Sequence, residues 1–342
     1  MQTDFYPLLE TLYKGESLSQ EQSQILFTQV LNGELDSINL SALLIALKMK
    51  GESSDEIAGA AEAMRNAALR FPRPSYAFSD LVGTGGDGHN TINISSAASI
   101  VAASCGIKVA KHGNRSVSSK SGSSDLFAGF GMKLDMSPEV ARACLDKANF
   151  CFLAAPSYHT GMKHVMPVRT VLKTRTLFNV LGPLANPAQP THGIYGVYTP
   201  ELLAPYAQTL LNLGHNKALV VHGSGLDEIA LHGDTQAILV NDGKLSSMVI
   251  SPSDFGIEPQ PLAAIKGDTP EFNVAAIEKV LSGKGELAHT HAIAMNAAAL
   301  MWLHKPELSL KDCFKEVMQS INSALPIATI RLAAKISQGE SV

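Results

Sequence analysis

The chain has 342 residues, 45% of them hydrophobic and 17% charged, with a formal net charge of −4. That length exceeds what one hydrophobic core usually supports, so two domains are expected. The mild acidity excludes a broad electrostatic footprint for nucleic acid and leaves room for a local basic pocket that holds a small polyanion with metal.

In chain order, residues 1–70 read as helices throughout. Asp4 or Pro7 starts the first and Gly15 ends it. Ser19 caps the second, with Gln22 at the capping-box position, and Gly33 stops it. The third runs from about Ser37 to Lys50, with Leu40, Leu43, Leu44 and Leu47 on one face. Gly51 ends it, and Ser53 or Ser54 caps a fourth that closes near Leu69. The segment F-P-R-P-S at 71–75 cannot continue a helix and reads as a linker.

From residue 80 the pattern alternates. Strand-like runs near 81–82, 107–111, 150–154, 194–198, 218–222 and 236–240 are separated by helical windows, and Ser137-Pro138-Glu139 is a good helix start. The alternation predicts a mostly parallel sheet with right-handed crossovers. Residues 163–182 break the rhythm with a second helical patch that ends in G-P-L-A-N-P. The expected fold is therefore α/β. A small all-helical domain spans 1–72, with 163–186 packing back onto it, and 73–162 with 187–342 form a large α/β domain.

The chemistry gathers between residues 81 and 125. Gly83, Gly85, Gly86 and Gly88 follow a short apolar run, and glycine backbone can turn its N–H groups towards a ligand. G-x-G-x-x-G formally matches the dinucleotide fingerprint, but that site needs an acid at the end of the next strand. Here that strand runs into Lys111, His112 and Arg115, which suit phosphate rather than a bare ribose. No G-K-[ST] follows, so a P-loop is excluded. Thr91, Asn93, Ser95 and Ser96 precede the helix I-V-A-A-S-C; they cap it, or hold phosphate or a metal-bound water. The run from Lys111 to Asp125 carries three cations and six serines. It reads as an anion wrap, mobile when empty and ordered by its ligand, with a plain solvated loop as the alternative.

Two further features stand out. Gly225-Leu226-Asp227-Glu228 follows the apolar run A-L-V-V-H-G, and adjacent carboxylates at a strand end are costly unless a cation or water neutralises them. Magnesium held by carboxylates and substrate phosphates is the common solution, and a solvated helix start is the alternative. Arg169 lies among apolar residues, as a fork for a substrate carboxylate or one half of a surface salt bridge. His112 and His159 are each ambiguous between structure and chemistry. Cys105, Cys144, Cys151 and Cys313 lack C-x-x-C spacing and read as buried thiols in a reducing compartment. The N-terminus has no signal-peptide pattern, and no apolar run reaches the roughly 18 residues of a membrane span, so a cytoplasmic protein is expected.

G-T-G-G-D at 83–87, N-I-S-S at 93–96, K-H-G-N-R-S-V-S-S at 111–119, G-S-S-D at 122–125, G-P-L-A-N-P at 182–187 and G-L-D-E at 225–228 occur in this order. On these motifs, across essentially the whole chain, the sequence resembles the anthranilate phosphoribosyltransferase family of tryptophan biosynthesis. The resemblance implies transfer of the phosphoribosyl group of phosphoribosyl pyrophosphate to the amine of anthranilate, giving N-(5-phosphoribosyl)anthranilate and pyrophosphate. It implies that phosphoribosyl pyrophosphate meets Gly83, Gly86, Asp87, Thr91, Asn93, Ile94, Ser95, Ser96, Lys111, His112, Gly113, Asn114, Arg115, Ser116, Val117, Ser118, Ser119 and Ser123. Gly83, Asn114 and Arg169 would contact anthranilate, with His112, His159 and Pro183 lining its path. Ser95, Asp227 and Glu228 would serve magnesium, as two ions. No residue is implied as a catalytic acid or base.

The resemblance also implies a homodimer through the helical domain, with no nucleic-acid or membrane partner; association with anthranilate synthase components stays open. Many members carry G-S-A-D and H-P-A-M-K where this chain has G-S-S-D and H-T-G-M-K at 159–163. The first change adds the Ser124 hydroxyl near the diphosphate, and the second removes a proline near the anthranilate entrance. Related nucleoside phosphorylases share the architecture; Arg169 and the two acids favour the pyrophosphate user.

Overall fold

Four helices, the last three capped by side chains, open the computed structural model, which describes residues 5–115 and 120–340: α1 (Tyr6–Tyr13), α2 (Gln20–Asn32), α3 (Ser37–Lys50) and α4 (Ser54–Ala67). The Ser19 Oγ accepts from the Gln22 N–H at 3.2 Å, and the Gln22 side chain accepts from the Ser19 N–H at 2.9 Å. Leu40, Leu43, Leu44 and Leu47 of α3 are buried. Glu56 of α4, also buried, accepts from the N–H groups of Leu18 and Ser53 and from Lys50 Nζ, and so fastens α4 to α3 and to the turn before α2.

The strands β1 (Ser79–Gly83), β2 (Val109–Gly113), β3 (Phe150–Ala154), β4 (His192–Gly196), β5 (Lys217–Gly223), β6 (Thr235–Asn241) and β7 (Lys244–Ile250) form one sheet in the order 3-2-1-4-5-6-7. The first five are mutually parallel; β6 and β7 are antiparallel additions. The chain builds outwards from β1 to β3 and then returns to place β4 on the other side of β1. The sheet therefore reverses its winding between β1 and β4, and such a switch point opens a crevice at the C-terminal strand ends.

The remaining helices are α5 (Ile94–Ser104), α6 (Ser123–Gly129), α7 (Pro138–Ala148), α8 (Ala155–Tyr158), α9 (Met166–Leu172), α10 (Phe178–Leu181), α11 (Leu203–Asn212), α12 (Pro270–Leu281), α13 (Leu287–His304), α14 (Leu310–Asn322) and α15 (Leu325–Ser337). Both faces of the parallel part of the sheet are buried, while β7 is largely exposed. Leu219 and Val221 of β5 join one core with residues of α5, α7, α13 and α15, while Ala218 and Val220 join the other with α11 and the first helices. Val168, Phe178 and Leu181 lie in that second core beside Phe27, Leu43 and Leu44.

Three local readings change. The second strand starts at Val109, because the Ile107 N–H still bonds the Ala102 carbonyl at 3.2 Å in the closing turn of α5. Lys111 and His112 are thus buried strand residues and not the opening of a loop. The N-cap of α5 is Asn93, whose side chain makes no capping bond, and Ser95 and Ser96 lie inside the helix, so the capping alternative for these side chains falls away. Strand β7 was not foreseen, although its signal is local. Asp242 and Gly243, at φ 48° and 78°, make the two-residue turn that joins Asn241 to Lys244.

Candidate active site

The floor of the crevice is made by two glycines and one turn. Gly83 ends β1 and Gly196 ends β4. A Cβ on Gly196 would collide with the Asp227 backbone, and one on Gly83 with the Asp227 carboxylate. Without those carbons the turn after β5 lies across the switch point, folded by reciprocal bonds between Gly223 and Leu226 of 2.9 and 3.0 Å. Asp227 Oδ2 then accepts from the Gly85 N–H at 2.6 Å, and Glu228 Oε1 accepts from the Ser95 N–H at 3.0 Å. Glu228 therefore caps α5 from a distant part of the chain and sits in the positive field of its N-terminus.

These acids are poorly neutralised by the protein. Removal from water, and then the nearby Asp87, push Asp227 up to about 6. Glu228 is raised well above the usual carboxylate range by burial, then by Asp227 and Asp87. Glu228 Oε2 is buried and has no hydrogen-bond partner. The nearby cation is Lys111, whose Nζ lies 2.5 Å from the Leu81 carbonyl; burial lowers its pKa, and Asp80, Glu228 and Asp227 pull it back up. A divalent cation would supply the missing charge. Among the described residues no three His, Cys, Asp or Glu side chains form a metal cage, so a metal held here would need water and phosphate as further ligands, which suits magnesium.

Below Lys111 lies a polar knot that sequence reasoning missed. Asp80, fully buried in β1, accepts from Asn186 Nδ2 at 2.8 Å and from the His112 N–H at 3.3 Å. Asn186 also donates to the Ala110 carbonyl at 2.8 Å. Part of the work of G-P-L-A-N-P is therefore structural: its asparagine buckles the 182–185 turn onto β1 and β2. The available signal was a lone acid within the apolar run F-S-D-L-V.

His112 and His159 meet edge to face with ring centroids 5.1 Å apart. His112 Nδ1 lies 3.2 Å from the carbonyl of Gly182, next to the buried Pro183, and the Nε2 atoms of both rings are buried without partners. Burial pushes His112 down to about 3 and His159 to about 4, so both are neutral at pH 7. Arg169, half-buried on α9, lies 5.8 Å from the Phe178 ring centroid and has no carboxylate partner among the described residues, which removes the salt-bridge reading. No hydrogen bond or ring contact joins Arg169 or Asn114 to the histidine pair.

Gly113, Asn114 and Arg115 form a stem with Ser123, whose hydroxyl donates to the Asn114 carbonyl at 3.1 Å. Ser124 is buried, with its own N–H 3.2 Å from the same carbonyl. Ser116, Val117, Ser118 and Ser119, and with them the centre of the loop expected to order on binding, lie outside the described residues. In the 159–163 departure, a Cβ on Gly161 would stand 2.8 Å from the Leu31 carbonyl, so glycine lets this turn lie on the end of α2. Arg175 was also missed as a site residue. It stacks 3.9 Å over the Tyr198 ring and donates to the Gly86 carbonyl, tying the segment between α9 and α10 to the glycine loop.

Comparison with known proteins agrees with this geometry. Residues 6–68 match the helical bundle domain of a glycosyl transferase family, and residues 75–325 match its α/β domain. Anthranilate phosphoribosyltransferase of Aeromonas salmonicida is 55% identical over 333 residues, 97% of this chain and 99% of that one. The crystal structure of anthranilate phosphoribosyltransferase from Thermus thermophilus superposes with a TM-score of 0.92 at 36% identity, covering 96% of this chain and 99% of that one. The Saccharomyces cerevisiae enzyme in complex with PRPP and Mg superposes at 0.90 with 28% identity, covering 99% of each chain. The chain belongs to the anthranilate phosphoribosyltransferase family.

Proposed function

We propose that this enzyme performs its family's reaction in the crevice between β1 and β4, moving the phosphoribosyl group of phosphoribosyl pyrophosphate onto the amine of anthranilate. One observation carries the assignment of the site: over two obligatory glycines Glu228 meets the N-terminus of α5 and Asp227 the glycine loop, with Glu228 Oε2 left without a partner. Asp227, Glu228 and Ser95 hold two magnesium ions. What magnesium supplies when bound is charge neutralisation at the departing pyrophosphate. The N–H groups of the 83–88 loop, Thr91, Asn93, Ser96 and Lys111 hold the phosphates, with Gly113, Asn114, Arg115 and Ser123 as the opposite wall. Arg169 pairs with the anthranilate carboxylate, and Asn114, His112, His159 and Pro183 line its approach. The aromatic amine is neutral at pH 7, so no strongly tuned base is required, in keeping with two histidines held neutral.

The deciding experiment follows anthranilate fluorescence in the presence of phosphoribosyl pyrophosphate, with and without magnesium. Loss of fluorescence that needs both supports the reading. Consumption of a nucleoside with inorganic phosphate, in place of anthranilate turnover, overturns it.

The working unit in this proposal is a cytoplasmic homodimer joined through its helical domains. Ile38 and Met49 of α3 are 79% and 80% exposed, and with Ala42 and Ile45 they form one apolar stripe. The stripe borders a depression of about 470 Å³ lined by Leu12, Tyr13, Ala42, Ile45, Ala46 and Met49. Ile38→Glu with Met49→Glu should halve the sedimenting mass; an unchanged mass removes this face from the interface. Free cysteines suit a reducing cytoplasm, and no helix among the described residues is long and apolar enough to cross a membrane. In this reading 1–72 with 163–186 acts as one unit, and 73–162 with 187–342 as the other.

A further inference from the structure

Asn273 stands in the first turn of α12 and is 2% exposed. A carboxamide this buried must be bonded at both ends. Its Oδ1 accepts from the Asp268 N–H at 2.9 Å, and its Nδ2 donates to Asn93 Oδ1 at 2.9 Å. A backbone N–H can only donate, so Asp268 decides which way the Asn273 amide faces. Asn93 must then present its oxygen to Asn273, which turns its nitrogen to Ser121. The Ser121 carbonyl accepts from Asn93 Nδ2 at 3.1 Å, and the Ser121 hydroxyl donates to Asn93 Oδ1 at 3.2 Å. One chain of bonds thus sets both amides and leaves one Nδ2 hydrogen of Asn93 for a ligand oxygen.

The surroundings hold this chain in place. The Gly267 N–H donates to the Asn90 carbonyl at 2.8 Å, and the Ile92 N–H to the Ile265 carbonyl at 3.1 Å. A Cβ on Gly267 would lie 2.8 Å from Asn273 Oδ1, so residues 265–268 are wedged against 90–93. Lys120 pairs with Asp268 on the same side. Three segments far apart in sequence, 90–93, 120–121 and 265–268, therefore converge on one buried carboxamide.

We propose that Asn273 is a positioning residue for phosphoribosyl pyrophosphate. It orients Asn93 and, through Asn93, the Ser121 end of the second binding loop, so that both loops meet one ligand in one geometry. The proposal rests on the reading that Asn93 contacts that ligand.

The test is a double-mutant cycle in the full-length enzyme, with binding of phosphoribosyl pyrophosphate plus magnesium measured by calorimetry. Asn273→Asp keeps the bond to the Asp268 N–H and sets an oxygen against Asn93 Oδ1. It should weaken phosphoribosyl pyrophosphate roughly tenfold, leave KM for anthranilate within about twofold, and add little on an Asn93→Ala background. Effects that multiply in the cycle, equal weakening of both substrates, or a folded Asn273→Asp with wild-type affinity beside a weakened Asn93→Ala each overturn the proposal alone. An Asn93→Ala enzyme with wild-type affinity overturns the Asn93 assignment and this proposal with it. If Asn273→Asp does not fold, Asn273→Ser, which lacks the Nδ2 donor, takes its place in the cycle with the same outcomes.

Discussion

Glu56 in the helical bundle and Glu228 in the crevice are both carboxylates drawn out of water, and the chain treats them in opposite ways. Glu56 is saturated: it accepts from Leu18 at 2.9 Å, from Ser53 at 2.8 Å and from Lys50 Nζ at 2.8 Å. Glu228 accepts from Ser95 at 3.0 Å, and its other oxygen has no partner. The first acid closes a structure. The second is left open towards something the chain does not itself supply. Buried polar atoms normally find partners, so an open acid at the switch-point crevice suits a bound cation, while the closed one serves the fold.

The largest expected effect comes from the backbone beneath the open acid. Gly196 is not among the proposed substrate contacts, yet a Cβ there collides with Asp227. Gly196→Ala should displace the 225–228 turn and lower activity by about 10²-fold or more, since misplacement of about 1 Å costs that much. Far-UV circular dichroism should stay native. A fully active Gly196→Ala would mean that the seat of Asp227 does not govern the chemistry.

The histidine pair extends the contrast to bases, because both Nε2 atoms are buried and partnerless. Burial pushes His159 to about 4, below the roughly 6.5 of an unfolded chain. A base with a depressed folded pKa contributes stability above pH 6.5 and loses it as pH falls towards 4. The loss approaches about 3 kcal/mol for a group this buried. His159→Gln should flatten the stability profile across that window. A variant with the same acid slope as the parent would clear His159 of the effect.

Direct exchange of amide for carboxylate sharpens the comparison itself. Glu56→Gln places an N–H₂ among three donors and should destabilise by about 1–3 kcal/mol, with or without magnesium. Glu228→Gln removes an uncompensated charge, so it should raise Tm in metal-free buffer and abolish the rise in Tm that magnesium should give the parent. Thermal unfolding of both variants with and without magnesium checks this. Parallel behaviour of the two would erase the distinction.

The two regions also differ in how far they were legible in the sequence. The bundle is written locally: Ser19 with Gln22 starts α2, and Leu40, Leu43, Leu44 and Leu47 show the buried face of α3 within one helix. The crevice was legible where rare residue types cluster, as in 83–88 and 225–228. It was not legible where a common residue gains its role from a contact far along the chain. Gly196, Asp80, Asn186 and Asn273 each act through partners that no period or cap reveals. The start of β2 was misplaced for the same kind of reason: apolar Ile107 suits a strand, while its N–H is spent on closing α5.

The smallest expected effect lies on the rim, where the open region is steadied by a group that water can still reach. Arg175 is exposed, yet its guanidinium lies 3.9 Å over the Tyr198 ring and donates to the Gly86 carbonyl. An exposed cation–π contact contributes about 0.5–1 kcal/mol, which corresponds to a two- to fivefold change in affinity. Arg175→Lys keeps the charge but loses the planar fork and much of the stacking. If the clamp steadies the glycine loop, Arg175→Lys and Tyr198→Leu should each raise KM for phosphoribosyl pyrophosphate by that factor. The double variant should be no worse than the weaker single, and KM for anthranilate should not move. If Arg175→Lys is silent while Arg175→Ala weakens binding, charge alone matters there, and the stacked geometry contributes nothing to the loop.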